Sequence, residues 1–280
     1  MKIISTLQKN TEKVWMFIKE LVIKSLKDDV PGLSAQLAFY LVLSFFPFLT
    51  LIFSLVSLSP FLTEDMLFDV LTALPDETVS LVWDIITGVA KSKGIIVISS
   101  LVALWSVSAA IGTVAKAINR FYGISDRRNV FVIRLKGMFY VVVTTFLIIA
   151  GFSAVVFGSL IGKGISWLFP WFEGWWSIIR IILLLMCVIS IFIVIFKKMP
   201  ARNFKVTYLW QGALFTAIGW GAGSYLFSFY VKHFSNYHIL YGGLAGVIAL
   251  VFWLYMSAYI ILAGAEINSI IYKRYIERQK

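Results

Sequence analysis

The chain is built from apolar runs of about twenty residues separated by short charged intervals. Runs at 35–58, 94–118, 138–161, 178–196 and 208–231 are followed by a further one at 241–265. At 1.5 Å of rise per residue a helix of that length matches the roughly 30 Å hydrocarbon core of a bilayer. Each unpaired backbone amide in lipid costs several kcal/mol, so every run is expected to be a helix that satisfies its own hydrogen bonds. The predicted fold class is all-α: a polytopic membrane protein with six transmembrane helices.

The polar intervals carry their own periodicity. Over 3–27, Leu7, Val14, Trp15, Ile18, Leu21, Val22 and Leu26 recur at helical spacing among lysines, which predicts an amphipathic helix. It either lies in the interface with its lysines toward anionic headgroups or packs on the cytoplasmic loops. Asp28-Asp29-Val30-Pro31-Gly32 is expected to end it before the first span. The segment 59–93 holds Glu64, Asp65, Asp69, Asp76, Glu77 and Asp84, with apolar residues at helical spacing on either side of Pro75. It predicts two short amphipathic helices, whose acids either gather cations or form a solvated face. The expected divisions are 1–32, an interfacial helix; 33–268, the transmembrane domain; and 269–280, a basic tail.

Composition supports this class, with 60% hydrophobic and 14% charged residues among 280. The net charge of +11 would suit a nucleic-acid-binding protein, but the cations cluster at helix ends. Nineteen of the 25 Lys and Arg lie before the first span, between the second and third, after the fourth and at the end of the chain. The alternate loops hold only Lys91, Lys93, Lys163 and Lys232. The positive-inside rule therefore places both termini in the cytoplasm and predicts a multi-pass protein with no nucleic-acid partner. The N-terminal segment lacks the uninterrupted apolar core of a cleaved signal peptide, so it is expected to stay attached. Cys187 is the one cysteine, so no disulfide framework and no cysteine metal site are expected. No cofactor is expected either.

Ionisable groups in or beside spans are functional candidates because they are costly there. Lys116 and Arg180 lie near span ends and can snorkel to water. Glu266, two residues before Asn268, lies just inside the expected cytoplasmic end of the sixth span. It serves either a structural ion pair or proton or substrate coupling. In the first span Gln36, Tyr40 and Ser44 fall at i, i+4 and i+8, a polar stripe on a helix that Pro47 would bend. Asn119 and Gln211 could join the same polar layer, the candidate lining of a substrate path. His233 and His238 lie in the expected outside loop with no nearby carboxylate, a pattern for a solvated loop rather than a metal site. The aromatic interval 167–176, with Trp167, Trp171, Trp175 and Trp176, suits an interfacial belt. Gly158 and Gly162, Gly219 and Gly223, and Gly242 and Gly246 are each four apart, the spacing for close helix packing.

Four segments in order, "AQLAFYLVLSFFP" at 35–47, "LWSVSAAIGTVAKAINRFYGI" at 104–124, "KKMPARNFKVTYLWQGAL" at 197–214 and "YGGLAGVIALVFWLYMSAYIILAGAEINS" at 241–269, resemble the YihY/BrkB family of bacterial inner-membrane proteins. The resemblance implies six transmembrane helices with cytoplasmic termini in the bacterial cytoplasmic membrane. It supplies no activity: the family carries inherited labels of virulence factor and ribonuclease BN, and a role in envelope lipid or solute transport has been suggested for it. RNA hydrolysis needs clustered titratable or metal-ligating groups reachable from the cytoplasm. The acids on that side, Glu12, Glu20, Asp28, Asp29, Asp126, Glu266 and Glu277, are scattered, so ribonuclease activity is not expected. The expected function is a transporter or flippase-like protein for a lipid or amphiphile, with membrane lipids as partners. The alternatives are a small-ion or proton-coupled carrier and a non-transporting scaffold for envelope proteins. The pattern specifies no oligomeric state.

Overall fold

The structure, a computed structural model, describes residues 2–57, 93–140, 143, 172–233, 244–277 and 279. These residues are helices and short connections, with no strand among them: α1 (Lys2–Lys27), α2 (Val30–Ser57), α3 (Lys93–Phe121), α4 (Phe172–Lys198), α5 (Trp210–His233) and α6 (Leu244–Glu277). A helical stretch at 130–140 follows α3, and a 3₁₀ turn, Val206–Tyr208, precedes α5. Among the described residues Leu101–Phe121, Ile181–Lys198 and Gly246–Glu277 are long and apolar enough to cross a membrane, and Val30–Phe45 is a shorter apolar helix. The segments expected to hold the third span (138–161) and the acidic helices (59–93) lie wholly or mostly outside the described residues.

Several boundaries differ from the periodicity. The break between the first two helices shrinks to Asp28 and Asp29, because Asp29 ends one helix and starts the next. Its backbone takes the left-handed conformation (φ 58°), and its carboxylate accepts the Gly32 N–H at 3.2 Å. A Cβ at Gly32 would fall 2.5 Å from that carboxylate, so the cap needs glycine there. Pro31 fits the first turn, where no N–H is required. Tyrosine and glycine after α3 close it with a Schellman motif: Gly123 has φ 65°, its N–H reaches the Arg120 carbonyl at 3.0 Å, and Ile124 N–H reaches Asn119 at 2.8 Å. Phe172, Trp175 and Trp176, expected in a loop, belong to the first turns of α4. Beyond the expected end of the sixth span, α6 runs on to Glu277, so much of the expected basic tail is helical.

The chain divides into two compact units, 39–110 and the remainder. In the smaller unit, Ser44 and Ser108 are buried and return their hydroxyls to the carbonyls of Leu41 (2.9 Å) and Trp105 (2.7 Å) in their own helices. In the larger unit the core is concentrated at the basic end. Every residue from Leu262 to Ile270 on α6 is buried, together with Ile118, Phe196, Phe204 and Leu209. Farther along the same helices, Ile181 through Met186, Tyr225, Leu226, Ile248 and Phe252 are exposed apolar side chains, the surface a membrane protein turns to lipid.

Helices α5 and α6 make the tightest crossing. A Cβ at Gly212 would lie 2.1 Å from the Gly264 carbonyl, and one at Gly264 would lie 1.9 Å from Thr216 Oγ1. Neither glycine stands out by four-residue pairing. Gly219 and Gly223 do face α6, but their nearest neighbours are the flexible ends of Ile260 and Met256 at 3.1–3.2 Å. Gly246 has no described atom within 4 Å of such a Cβ, and Gly158, Gly162 and Gly242 lie outside the described residues. Gly212→Ala is therefore expected to cost about 1–3 kcal/mol through forced separation of the helices, whereas Gly223→Ala should leave the thermal midpoint in detergent nearly unchanged. Equal midpoints for the two variants would contradict this packing.

Candidate functional site

The site forms where α1 meets the ends of α3 and α6. Helix α1 is amphipathic in an unusual sense, since it turns a polar face inward. Lys24, Ser25 and Asp28 face the protein, while Trp15, Ile18, Val22, Ile23 and Leu26 are exposed. An apolar outer face of this kind suits a helix in the interface, one of the two expected placements.

Lys24 is the hub. Its Nζ donates to Glu266 Oε1 at 2.6 Å, Ser269 Oγ at 2.7 Å and the Phe121 carbonyl at 3.1 Å, and lies 3.1 Å from Asp28 Oδ2. Spacing of i, i+3 on α6 puts Glu266 and Ser269 on one face. The Phe121 carbonyl is free because it belongs to the last turn of α3, where a cation is also favoured by the helix dipole. Glu266 is fully buried, and its Oε2 has no hydrogen-bond partner. One turn earlier on α1, Glu20 pairs with Arg274, whose guanidinium also stacks over Phe17. The two pairs run in opposite chain directions, so α1 lies antiparallel to the end of α6.

A second layer ties the remaining helix ends together. Asn268 Oδ1 accepts the Gly212 N–H at 2.8 Å, capping the first turn of α5 from the neighbouring helix. Asn268 Nδ2 and Gln211 Oε1 are buried without partners. Asn119, also buried, donates to Asp126 Oδ2 at 2.7 Å and accepts the Ala201 N–H at 2.7 Å. Asp126 and Arg128 form a two-pronged pair, Nε to Oδ1 at 2.9 Å and NH2 to Oδ2 at 2.7 Å. Arg128 goes on to the carbonyls of Met199 (3.0 Å) and Pro200 (3.2 Å), which closes α4. The guanidinium hydrogen bond holds the Asp126 carboxyl below its ordinary value, helped by Asn119 and opposed by partial desolvation. Beneath these layers Tyr122 stacks on Phe204 (4.2 Å) and meets Tyr272 edge-on (5.6 Å), and burial pushes its phenol upward.

Outside the hub lies an open groove of about 700 Å³. Lys19, Lys27, Arg120 and Lys273 line it with cations, Glu20 and Asp28 with carboxylates already paired to Arg274 and Lys24, and Met16 and Ile23 supply apolar wall.

The expected candidates thus fall in different places. Glu266 and Asn268 sit in the deepest part of the core, Gln211 beside them at the start of α5, and Asn119 in the clasp below α3. On α2, Gln36 is exposed, Tyr40 and Pro47 are half-buried, and Ser44 bonds only its own helix. Lys116 is exposed; the side chain of Arg180 and all of His238 lie outside the described residues. His233 is exposed and bonds the Phe229 carbonyl of its own helix at 2.9 Å. Cys187 is half-buried within α4. The residues that organise the site and escaped sequence reasoning are Lys24, Ser269, Asp126 and Arg128. Lys24 is one of several lysines on α1, set apart only by acids four residues to either side, Glu20 and Asp28.

Apolar helices that share a buried polar hub at their basic end define an all-α membrane protein. The profile of the virulence factor BrkB family matches residues 22–280, and the chain belongs to that family. It is 31% identical to the ribonuclease-like protein YfkH of Bacillus subtilis over 92% of this chain and 96% of that one. Two proteins named UPF0761 membrane protein are similar: that of Pseudoalteromonas atlantica, 24% identical over 96% of this chain and 90% of its own length, and that of Psychromonas ingrahamii, 25% identical over 88% and 84%. No solved structure matches the chain.

Removing one partner of a buried pair strands the other charge, at a cost of 3–5 kcal/mol in fully buried cases. Lys24 keeps about a fifth of its side chain in solvent, so Lys24→Met should cost about 3 kcal/mol, the lower end. The double variant Lys24→Met/Glu266→Gln should recover at least half of the lost midpoint in a thermal melt in detergent. Additive losses would show that the two side chains do not act as a pair. The Asp126 clasp predicts a pH dependence of defined sign. A lowered carboxyl stabilises fully above the ordinary carboxylate value and loses that contribution as pH falls through its own. The midpoint gap between wild type and Asp126→Asn should therefore narrow below about pH 4, and a constant gap would refute the assignment.

Proposed function

We propose that this chain is a six-span protein of the bacterial cytoplasmic membrane, with both termini in the cytoplasm, that moves a lipid or other amphiphile between leaflets. The observation that carries the reading is the groove beside α1. Its cations suit an anionic headgroup, its Met16 and Ile23 wall suits a chain, and the exposed apolar face of α1 would set the groove at the level of the interface. Gln36, Tyr40, Ser44 and Pro47 on α2 are proposed to line the path across, with Gln211, Asn119 and Asn268 at its cytoplasmic end. Lateral entry from a leaflet needs few buried charges, in keeping with a chain of 14% charged residues. The ribonuclease-like name of YfkH is not carried over: Asp28 and Glu266, scattered in sequence, do meet on the proposed cytoplasmic side, but both are engaged by the Lys24 ammonium.

One observation favours a second reading. The buried, half-satisfied Glu266 carboxylate could take up a proton, as a coupled carrier requires. Both readings are tested in liposomes of purified protein. Wild type should flip fluorescent phosphatidylglycerol, and Lys27→Glu/Arg120→Glu should slow it about tenfold or more by reversing two headgroup contacts. Absence of flipping for anionic and zwitterionic lipids alike, with insertion verified, would reject lipid movement. Proton flux abolished by Glu266→Gln in the same vesicles would then establish the coupled carrier, and its absence would leave envelope scaffolding.

A further inference from the structure

A second recess, of about 430 Å³, opens between the turn after α4 and the helical stretch at 130–140. Its floor is Arg128, whose charge is already matched by Asp126 and whose guanidinium is held by the Met199 and Pro200 carbonyls. Its rim is different. Lys136 and Lys198 are both exposed, and neither has a carboxylate within ion-pair distance among the described residues. Two lysines therefore line one cavity with no carboxylate beside them among the described residues, an arrangement that an anion would complete.

The apolar surroundings identify the source of that anion. Leu135 and Phe139, i and i+4 on one helix face, also line the recess, and both side chains are about 60% exposed. Lys198 is the last residue of the apolar helix Ile181–Lys198, so the lysines sit at the depth where a crossing helix leaves hydrocarbon for headgroups. A soluble phosphate would satisfy the lysines and leave the Leu135 and Phe139 ridge without a role. A phospholipid would use both. Basic pockets between helices at a membrane surface bind anionic headgroups on the same physical grounds.

We propose that this recess holds the phosphate headgroup of an anionic phospholipid between Lys136 and Lys198, with its acyl chains along Leu135 and Phe139. The site is separate from the groove beside α1 and stands whether or not the protein moves lipid. The lipid would bridge the turn after α4 to the helix after α3, the same two segments the Asp126 and Arg128 clasp joins from beneath.

Native mass spectrometry of the purified full chain, titrated with phosphatidylglycerol, tests the proposal. Each surface lysine contributes about 1 kcal/mol toward anionic lipid, so Lys136→Gln/Lys198→Gln should weaken binding about 30-fold. The Lys136→Arg/Lys198→Arg variant should retain wild-type affinity, and Lys116→Gln, at an exposed lysine that lines neither cavity, should leave it unchanged. Unaltered affinity in the double glutamine variant, or an equal loss in Lys116→Gln, overturns the site. Displacement of the lipid by glycerol 3-phosphate at equal concentration would reassign the recess to soluble phosphate. Independently of any substitution, a photoactivatable phosphatidylglycerol should label wild type on the 130–140 segment, and labelling confined to other segments would also overturn the proposal.

Discussion

A carboxylate with no access to water can remain charged only beside a cation, and Glu266 has one. Its partner, Lys24, comes from the helix farthest away in sequence, 242 residues distant. That single requirement fixes much of what surrounds it. Lys24 must face inward, so α1 must lie with its polar side against α6 and its apolar side outward. The ammonium has more hydrogen-bonding capacity than one carboxylate oxygen can use, and the remainder goes to Ser269 and the open carbonyl of Phe121. The end of α3 is thereby brought to the same point.

The rest of the basic end follows the same logic, with each helix terminus completed by a side chain from another segment. Asn268 caps α5, Arg128 closes α4, and Asn119 joins the loop after α3 to the turn after α4. Buried amides and carboxylates in such a region are costly when unsatisfied, so their mutual hydrogen bonds select one arrangement of the helix ends. Farther along, the same helices carry many exposed apolar side chains, a surface suited to lipid, and Trp220 Nε1 donates to Ser257 Oγ at 3.1 Å between α5 and α6. The groove beside α1 lies at this basic end, next to the exposed apolar face of α1.

The helices themselves were legible because a run of twenty apolar residues has few alternatives, and α3 and α5 lie close to their expected bounds, while α4 begins earlier, inside the aromatic interval. The ends were less legible. Hydropathy stops α6 near Ala265, but the structure carries it three turns farther, because Ala265, Ile267 and Ile270 still pack in the core and Glu266, Asn268 and Ser269 are hydrogen-bonded within it. Glu266 stood out as a costly acid, and an ion pair was one of its two expected roles. Its partner was harder to read, since Lys24 differs from Lys19 and Lys27 locally only in having acids four residues to either side, Glu20 and Asp28. Likewise Gly212 and Gly264 lie on different helices, and a search for glycines four apart passes over a pair that meets only in space.

The distance in sequence between Lys24 and Glu266 also orders events during synthesis. A chain emerging from the ribosome makes α1 first and α6 last, so for nearly the whole of translation Lys24 has only the acids of its own segment, Glu20 and Asp28, as counter-charges. The first turn of α5 waits in the same way, its Gly212 N–H uncapped until Asn268 appears 56 residues later. The buried hub is thus among the last parts of the protein to close. Closure draws an already synthesised surface helix onto the newest one, and the inserted helices become a locked bundle in that final step.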